Sequence, residues 1–144
     1  MPDEPSISVL FVCWGNTCRS VMAEAFGKRR YGTLARFESV GLHPMRPEDT
    51  TATLKSLRCD FGIQIPEYNP RGLAEVDLQT YTYVVAMDPE VAEELREFTS
   101  REFTVWDTTD PWQGDPTEYK RCGLSVLRQL TTLPFVSRVV IDAP

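Results

Sequence analysis

A cysteine and an arginine separated by five residues stand near the start of the chain, in Val12-Cys13-Trp14-Gly15-Asn16-Thr17-Cys18-Arg19-Ser20. This spacing suits phosphoryl transfer through sulfur. Five intervening residues let the backbone curl so that successive N–H groups point inward, and a helix starting at the arginine adds its positive end. Gly15 and Asn16 are residue types that accept the unusual dihedrals of such a curl. The Arg19 guanidinium offers a planar fork for two phosphate oxygens. The same positive surroundings favour Cys13 as a thiolate, and the Ser20 hydroxyl can donate to it. Cys13 is therefore the candidate nucleophile, and residues 13–20 are the candidate phosphate-binding loop.

A thiolate that expels an oxygen or nitrogen leaving group needs a proton donor nearby. Asp107-Thr108-Thr109-Asp110-Pro111-Trp112-Gln113-Gly114-Asp115-Pro116 supplies three aspartates. Asp110 is the best candidate, because Pro111 fixes the backbone beside its carboxylate. The same group can later serve as base for the water that hydrolyses a phosphocysteine. Trp112 is placed to wall a planar substrate group. Cys18 has two readings that stay open: a small buried side chain, or a redox partner that protects Cys13 as a disulfide. Cys59 and Cys122 read as apolar helix-face residues, and His43 as a surface residue in a Pro-flanked loop at the cleft rim.

The surrounding elements must hold these groups at one edge. Ile7–Val12 is a short apolar run that reads as a buried parallel strand. From Ser20 the pattern turns helical, with Gly32 as its stop. Ala35–Val40, Tyr83–Met87 and Phe103–Trp106 read as further strands. Glu48–Phe61, Pro89–Phe98 and Pro116–Leu130 read as helices, the second with Pro in its first turn. Ile63–Gly72 reads as loop. Alternating strands and helices predict a parallel sheet covered by helices, with ligands at the carboxyl ends of the strands. Phe135–Asp142 is β-prone and fits an added edge strand, a docked tail or a self-association segment.

The 144 residues fit one domain over 1–144, 42% hydrophobic and 25% charged, with net charge −6. That charge argues against nucleic acid or an anionic membrane as partner. No apolar run reaches the ~20 residues of a membrane helix, and the acidic Met1–Pro5 lacks the basic start of a signal peptide. The expected compartment is cytoplasmic. Four scattered cysteines and a single histidine make neither a disulfide framework nor a zinc site, so no metal is expected.

VCWGNTCRSVMAE, residues 12–24, resembles the signature of the low-molecular-weight protein-tyrosine phosphatases. Ser39-Val40-Gly41, Ala86-Met87-Asp88 and Asp110–Gly114 match the family's later segments in order. The resemblance implies a four-stranded parallel sheet flanked by helices on both faces, no cofactor, and a phosphorylated protein or small aryl phosphate as substrate, in a monomer or weak dimer. On that likeness Asn16, Ser20 and Ser39 support the loop. Three positions depart: Val21 replaces a proline, Tyr68 a histidine, and the loop around His43–Pro47 is shorter. Thr17 stands where tyrosine-specific members carry Ile and similar arginine phosphatases carry Thr, so protein arginine phosphatase is the alternative. An arsenate reductase would need two more cysteines after the third strand, and residues 88–121 hold none. Intact Cys13, Arg19 and Asp110 speak against a non-catalytic phosphate-binding module.

Overall fold

The computed structural model describes residues 5–137. Four parallel strands, β1 (Ile7–Cys13), β2 (Ala35–Gly41), β3 (Tyr83–Ala86) and β4 (Thr104–Val105), lie in the order β2-β1-β3-β4. Strand β1 is central, so its side chains are buried on both faces, which is why it reads as a continuous apolar run. Val9, Phe11 and Cys13 point to one side, and Leu10 and Val12 to the other.

The first side packs against α1 (Arg19–Tyr31), α2 (Thr51–Phe61) and α4 (Pro116–Leu130); the second packs against α3 (Pro89–Leu95). Phe11 anchors the larger layer, with ring centroids 6.1 Å from Phe37 and 5.6 Å from Trp106. Each fully buried side chain of this size contributes about 1.5–3 kcal/mol. The expected four-stranded α/β architecture, helices on both faces, is the one found.

Several boundaries shift for local reasons. The first turn of the expected helix from Glu48 is a 3₁₀ turn, Pro47–Thr50, and α2 starts at Thr51. Asp49 accepts from the Arg46 N–H at 3.0 Å, tightening that entry. Helix α3 ends at Leu95 rather than Phe98, because Glu97 and Phe98 bond back three residues, to Glu94 and Leu95. Strand β4 is only two residues long, at the sheet edge. Cys59 is exposed, not on an apolar helix face, whereas Cys122 is buried as expected.

In the tail, residues 134–137 are helical rather than a strand. Phe135 and Val136 enter the core, Phe135 against Phe37 and Tyr83. Of the three readings of this segment, docking holds for 135–137. Residues 138–142 lie outside the described part.

Candidate active site

Strand β1 delivers Cys13 to the carboxyl edge of the sheet, opposite Gly41 of β2. The carbonyls that follow turn outward: Cys13, Trp14 and Gly15 accept from the N–H groups of Leu42, His43 and Met45 at 3.0, 2.7 and 3.0 Å. With carbonyls outward, the N–H groups turn inward. That of Asn16 lies 3.2 Å from the Cys13 sulfur. Among the described residues, those of Gly15, Thr17, Cys18 and Arg19 have no acceptor within the protein. Asn16 has φ 56°, the left-handed region that this residue type tolerates. Gly41 is required by the close approach of the loop: a Cβ there would lie 2.7 Å from the Asn16 nitrogen.

The loop is braced from behind. The buried Asn16 amide donates to Ser20 Oγ and Ser39 Oγ, both at 2.9 Å, and its carbonyl oxygen accepts from the Arg71 N–H at 2.8 Å. Because Ser20 accepts from Asn16, its own hydrogen is free for the Cys13 sulfur, 2.8 Å away. Ser39 donates to Glu24 Oε1 at 2.7 Å, and the Tyr68 hydroxyl lies 2.6 Å from Ser39 and 3.2 Å from Glu24. Burial, with the Glu24 charge beside it, pushes the Tyr68 phenol far above its ordinary range, so it stays a neutral donor. Tyr68, standing where the resemblance expects a histidine, thus joins the brace behind the loop from the segment after α2.

Arg19 opens α1 and is 3% exposed. Its guanidinium pairs with Asp88, donates to the Thr108 carbonyl at 3.3 Å, and stands 3.6 Å from Asp110 Oδ2. Burial works against its charge, but Cys13, Asp110 and Asp88 outweigh that and hold it more basic than usual. Val21, in the place of the family's proline, is a core residue of the first helical turn.

The three aspartates separate by position. Asp115 caps α4, accepting from the Glu118 N–H at 3.0 Å. Asp107 lines only a neighbouring cavity of about 380 Å³. Asp110 also faces that cavity, but lines with Cys13, Arg19, Met45 and Trp112 the pocket of about 190 Å³ over the loop. Trp14 and Trp112 stand half-exposed at its rim. His43 lies 5.0 Å from the Trp14 ring and 2.6 Å from Glu94. Thr17 lines the pocket floor and is buried.

Sequence reasoning missed the local roles of Glu24, Gly41 and Asp88. Asp88 carried a signal, an Asp before Pro at a helix start. Gly41 could have been suspected from its place between an apolar strand and a loop. No cysteine-rich or acidic metal cluster forms among the described residues.

The family described as low molecular weight phosphotyrosine protein phosphatase matches residues 8–134. The low molecular weight protein-tyrosine-phosphatase YfkJ of Bacillus subtilis (strain 168) is 38% identical over 98 residues, which cover 62% of each protein. The match thus spans a little under two thirds of that relative. A low molecular weight protein tyrosine phosphatase from T. tengcongensis is 26% identical with TM-score 0.71, covering 89% of this chain and 100% of that one. A YwlE arginine phosphatase shares the fold at TM-score 0.74 and 23% identity, covering 95% and 98%. A match that runs from the first strand past the last helix, over a loop whose N–H groups, arginine and thiol converge on one pocket, places this chain in the low molecular weight phosphotyrosine protein phosphatase family.

Proposed function

We propose that the protein hydrolyses phosphotyrosine, in proteins or as small aryl phosphates, with Cys13 as nucleophile and Asp110 as general acid. The observation that carries this reading is the Cys13 sulfur, 2.8 Å from the Ser20 hydroxyl and 3.2 Å from the Asn16 N–H, in the pocket that Asp110 lines. Those two groups can donate to the attacking sulfur. The phosphate oxygens take the free loop N–H groups and the Arg19 fork, which stabilise charge that builds up in the transition state. The sulfur attacks phosphorus in line, and the bond to the leaving oxygen breaks as Asp110 protonates it. Asp110, now ionised, takes a proton from the water that cleaves phosphocysteine, releasing phosphate and the Cys13 thiolate. Trp14 and Trp112 flank the ring.

Cys13→Ser is the direct test. Aryl phosphate hydrolysis should vanish while inorganic phosphate still binds, as read by calorimetry. Substantial turnover in that variant would sink the mechanism. A second reading, hydrolysis of phosphoarginine, is favoured by Thr17, a hydroxyl-bearing residue that lines the pocket. Arsenate reduction is disfavoured by the lack of cysteines in 88–121. The free cysteines, and the lack among the described residues of a helix long and apolar enough to cross a membrane, support a reducing, cytoplasmic setting.

A further inference from the structure

His43 takes no part in the chemistry above, yet it is held at three points. Its backbone N–H donates to the Trp14 carbonyl at 2.7 Å. Its imidazole Nε2 lies 2.6 Å from Glu94 Oε2, one residue before the end of α3. Its ring centroid is 5.0 Å from that of Trp14, with the planes tilted by 39°, a spacing at which aromatic pairs attract. The main chain thus fixes the base of His43, Glu94 fixes its tip, and the indole rests beside it. The hold matters because Trp14 lines two cavities. One is the pocket of about 190 Å³ over the loop; the other, of about 230 Å³, is shared with Leu42, Glu90, Val91 and Glu94. An indole that nothing held would have open space in both as it turned about its side-chain torsions.

We propose that His43 is a positioning residue: bonded to Glu94, it keeps the Trp14 ring at the mouth of the phosphate pocket and so sets the affinity for ligands that carry an aromatic ring beside the phosphate. This rests on the phosphotyrosine reading above, in which Trp14 flanks the substrate ring. His43 does not line the pocket that holds Cys13 and Arg19, whereas Trp14 does. Its influence therefore passes through the indole. A wall held in place beforehand loses less freedom when the ligand arrives, and affinity rises by that amount.

The effect is confined to the ring. Phosphate binding rests on the loop N–H groups and Arg19, so a ligand without a ring does not register the loss of the imidazole. Nor does His43→Ala untie the loop, because alanine keeps the backbone N–H that bonds to Trp14. Helix α3 then serves both parts of the ligand. Asp88, which caps its start, holds Arg19 for the phosphate. Glu94, near its end, holds through His43 the wall for the ring.

The test measures binding of phenylphosphonate and of inorganic phosphate to the whole protein by calorimetry, so it needs no turnover. The chain has three tryptophans, and 5-fluorotryptophan labelling gives each a fluorine resonance, that of Trp14 assigned through Trp14→Phe. His43→Ala and Glu94→Ala should each move the Trp14 resonance and leave that of Trp106, a core residue that reports the fold. Both should weaken phenylphosphonate by about 3–10-fold, the scale of one hydrogen bond, with inorganic phosphate unchanged. Glu94→Gln still accepts from the imidazole and should restore most of the affinity. In a Trp14→Ala background, His43→Ala should cause no further loss. Unchanged phenylphosphonate affinity in both alanine variants overturns the proposal. So does an equal loss for inorganic phosphate, which would place the damage in the loop, or a further loss in the Trp14→Ala background, which would place His43 on the ligand itself. A wild type that shows the expected binding pattern but hydrolyses no aryl phosphate would sink the proposed function and leave the positioning role standing.

Discussion

The Asp88 carboxylate binds the Arg19 guanidinium with one oxygen and caps α3 with the other, accepting from the Val91 N–H at 2.7 Å. One side chain thus aims the phosphate fork and starts the helix on the opposite face of the sheet.

Asparagine caps a helix about as well as aspartate but carries no charge for Arg19. Asp88→Asn should therefore keep most of the stability while lowering kcat/KM by roughly 10–100-fold, the scale of a hydrogen bond to a charged group. Asp88→Ala should lose about 1 kcal/mol more in denaturant melts. Unchanged kinetics in both variants would show that Arg19 holds its orientation through Asp110 and Thr108 alone.

Asp110→Asn should lower kcat by about 10²–10⁴-fold on a phosphotyrosine peptide. An aryl phosphate with a strongly acidic phenol needs little protonation and should suffer much less. Asp107→Asn should be nearly silent, and Asp115→Ala should act on stability through the lost α4 cap. If Asp107→Asn showed the leaving-group dependence instead, the acid would be misassigned.

Tyr68→Phe removes one hydroxyl from the brace formed by Asn16, Ser39 and Glu24. A hydrogen bond of about 1 kcal/mol predicts a several-fold loss of kcat/KM. A structural role remote from the loop would leave the rate of Cys13 alkylation by iodoacetamide unchanged across pH. Loosening of the loop should change that rate.

The sheet, its helices and the nucleophile loop were legible because period and spacing are local signals: β1 is a buried run, and Cys13 to Arg19 is a single turn of chain. The supports were not. Glu24, Ser39 and Tyr68 lie on three separate elements and meet only when the chain folds, so no spacing announces them. The resemblance pointed to Ser39 and to the exchanged Tyr68, but not to Glu24 as the shared acceptor. Helix ends moved for a different reason: Pro47, and the tightened turn after Leu95, act through backbone bonds that apolar period does not register. Phe135 and Val136 read as β-prone because apolar residues look alike on a strand and on one helical turn docked in a core.

Tyr81 gives the protein an alkaline limit. Burial and its bond to Glu38 push the phenol up to about 12, against about 10 in an unfolded chain. The unfolded state therefore loses its proton first. Stability should be full below about pH 10 and fall progressively until pH passes about 12. Tyr68 and Tyr119 shift in the same direction. Tyr81→Phe should make the loss of stability between pH 10 and 12 shallower without abolishing it, as read by urea melts at fixed pH.

Thr17→Ile replaces a hydroxyl with an apolar branch at nearly constant bulk. It should lower kcat/KM on phosphoarginine relative to phosphotyrosine, since specificity is the ratio of the two. An equal ratio in both proteins would make Thr17 scaffolding and leave the phosphoarginine reading without its main support.

The cradle is shaped by its own bonds: Asn16 is locked by its amide, and the outer carbonyls are tied to residues 42–45. A mould fixed in this way fits any tetrahedral oxyanion and, the Thr17 side chain apart, has little means of sensing what hangs from it. Discrimination between substrates then falls to the border of the opening, where Trp14, Met45 and Trp112 stand. That border rests on a loop contact, His43 to Glu94, which lies outside the cradle. Substrate preference in this protein can therefore be redrawn at the border by mutation while the chemical step underneath stays the same.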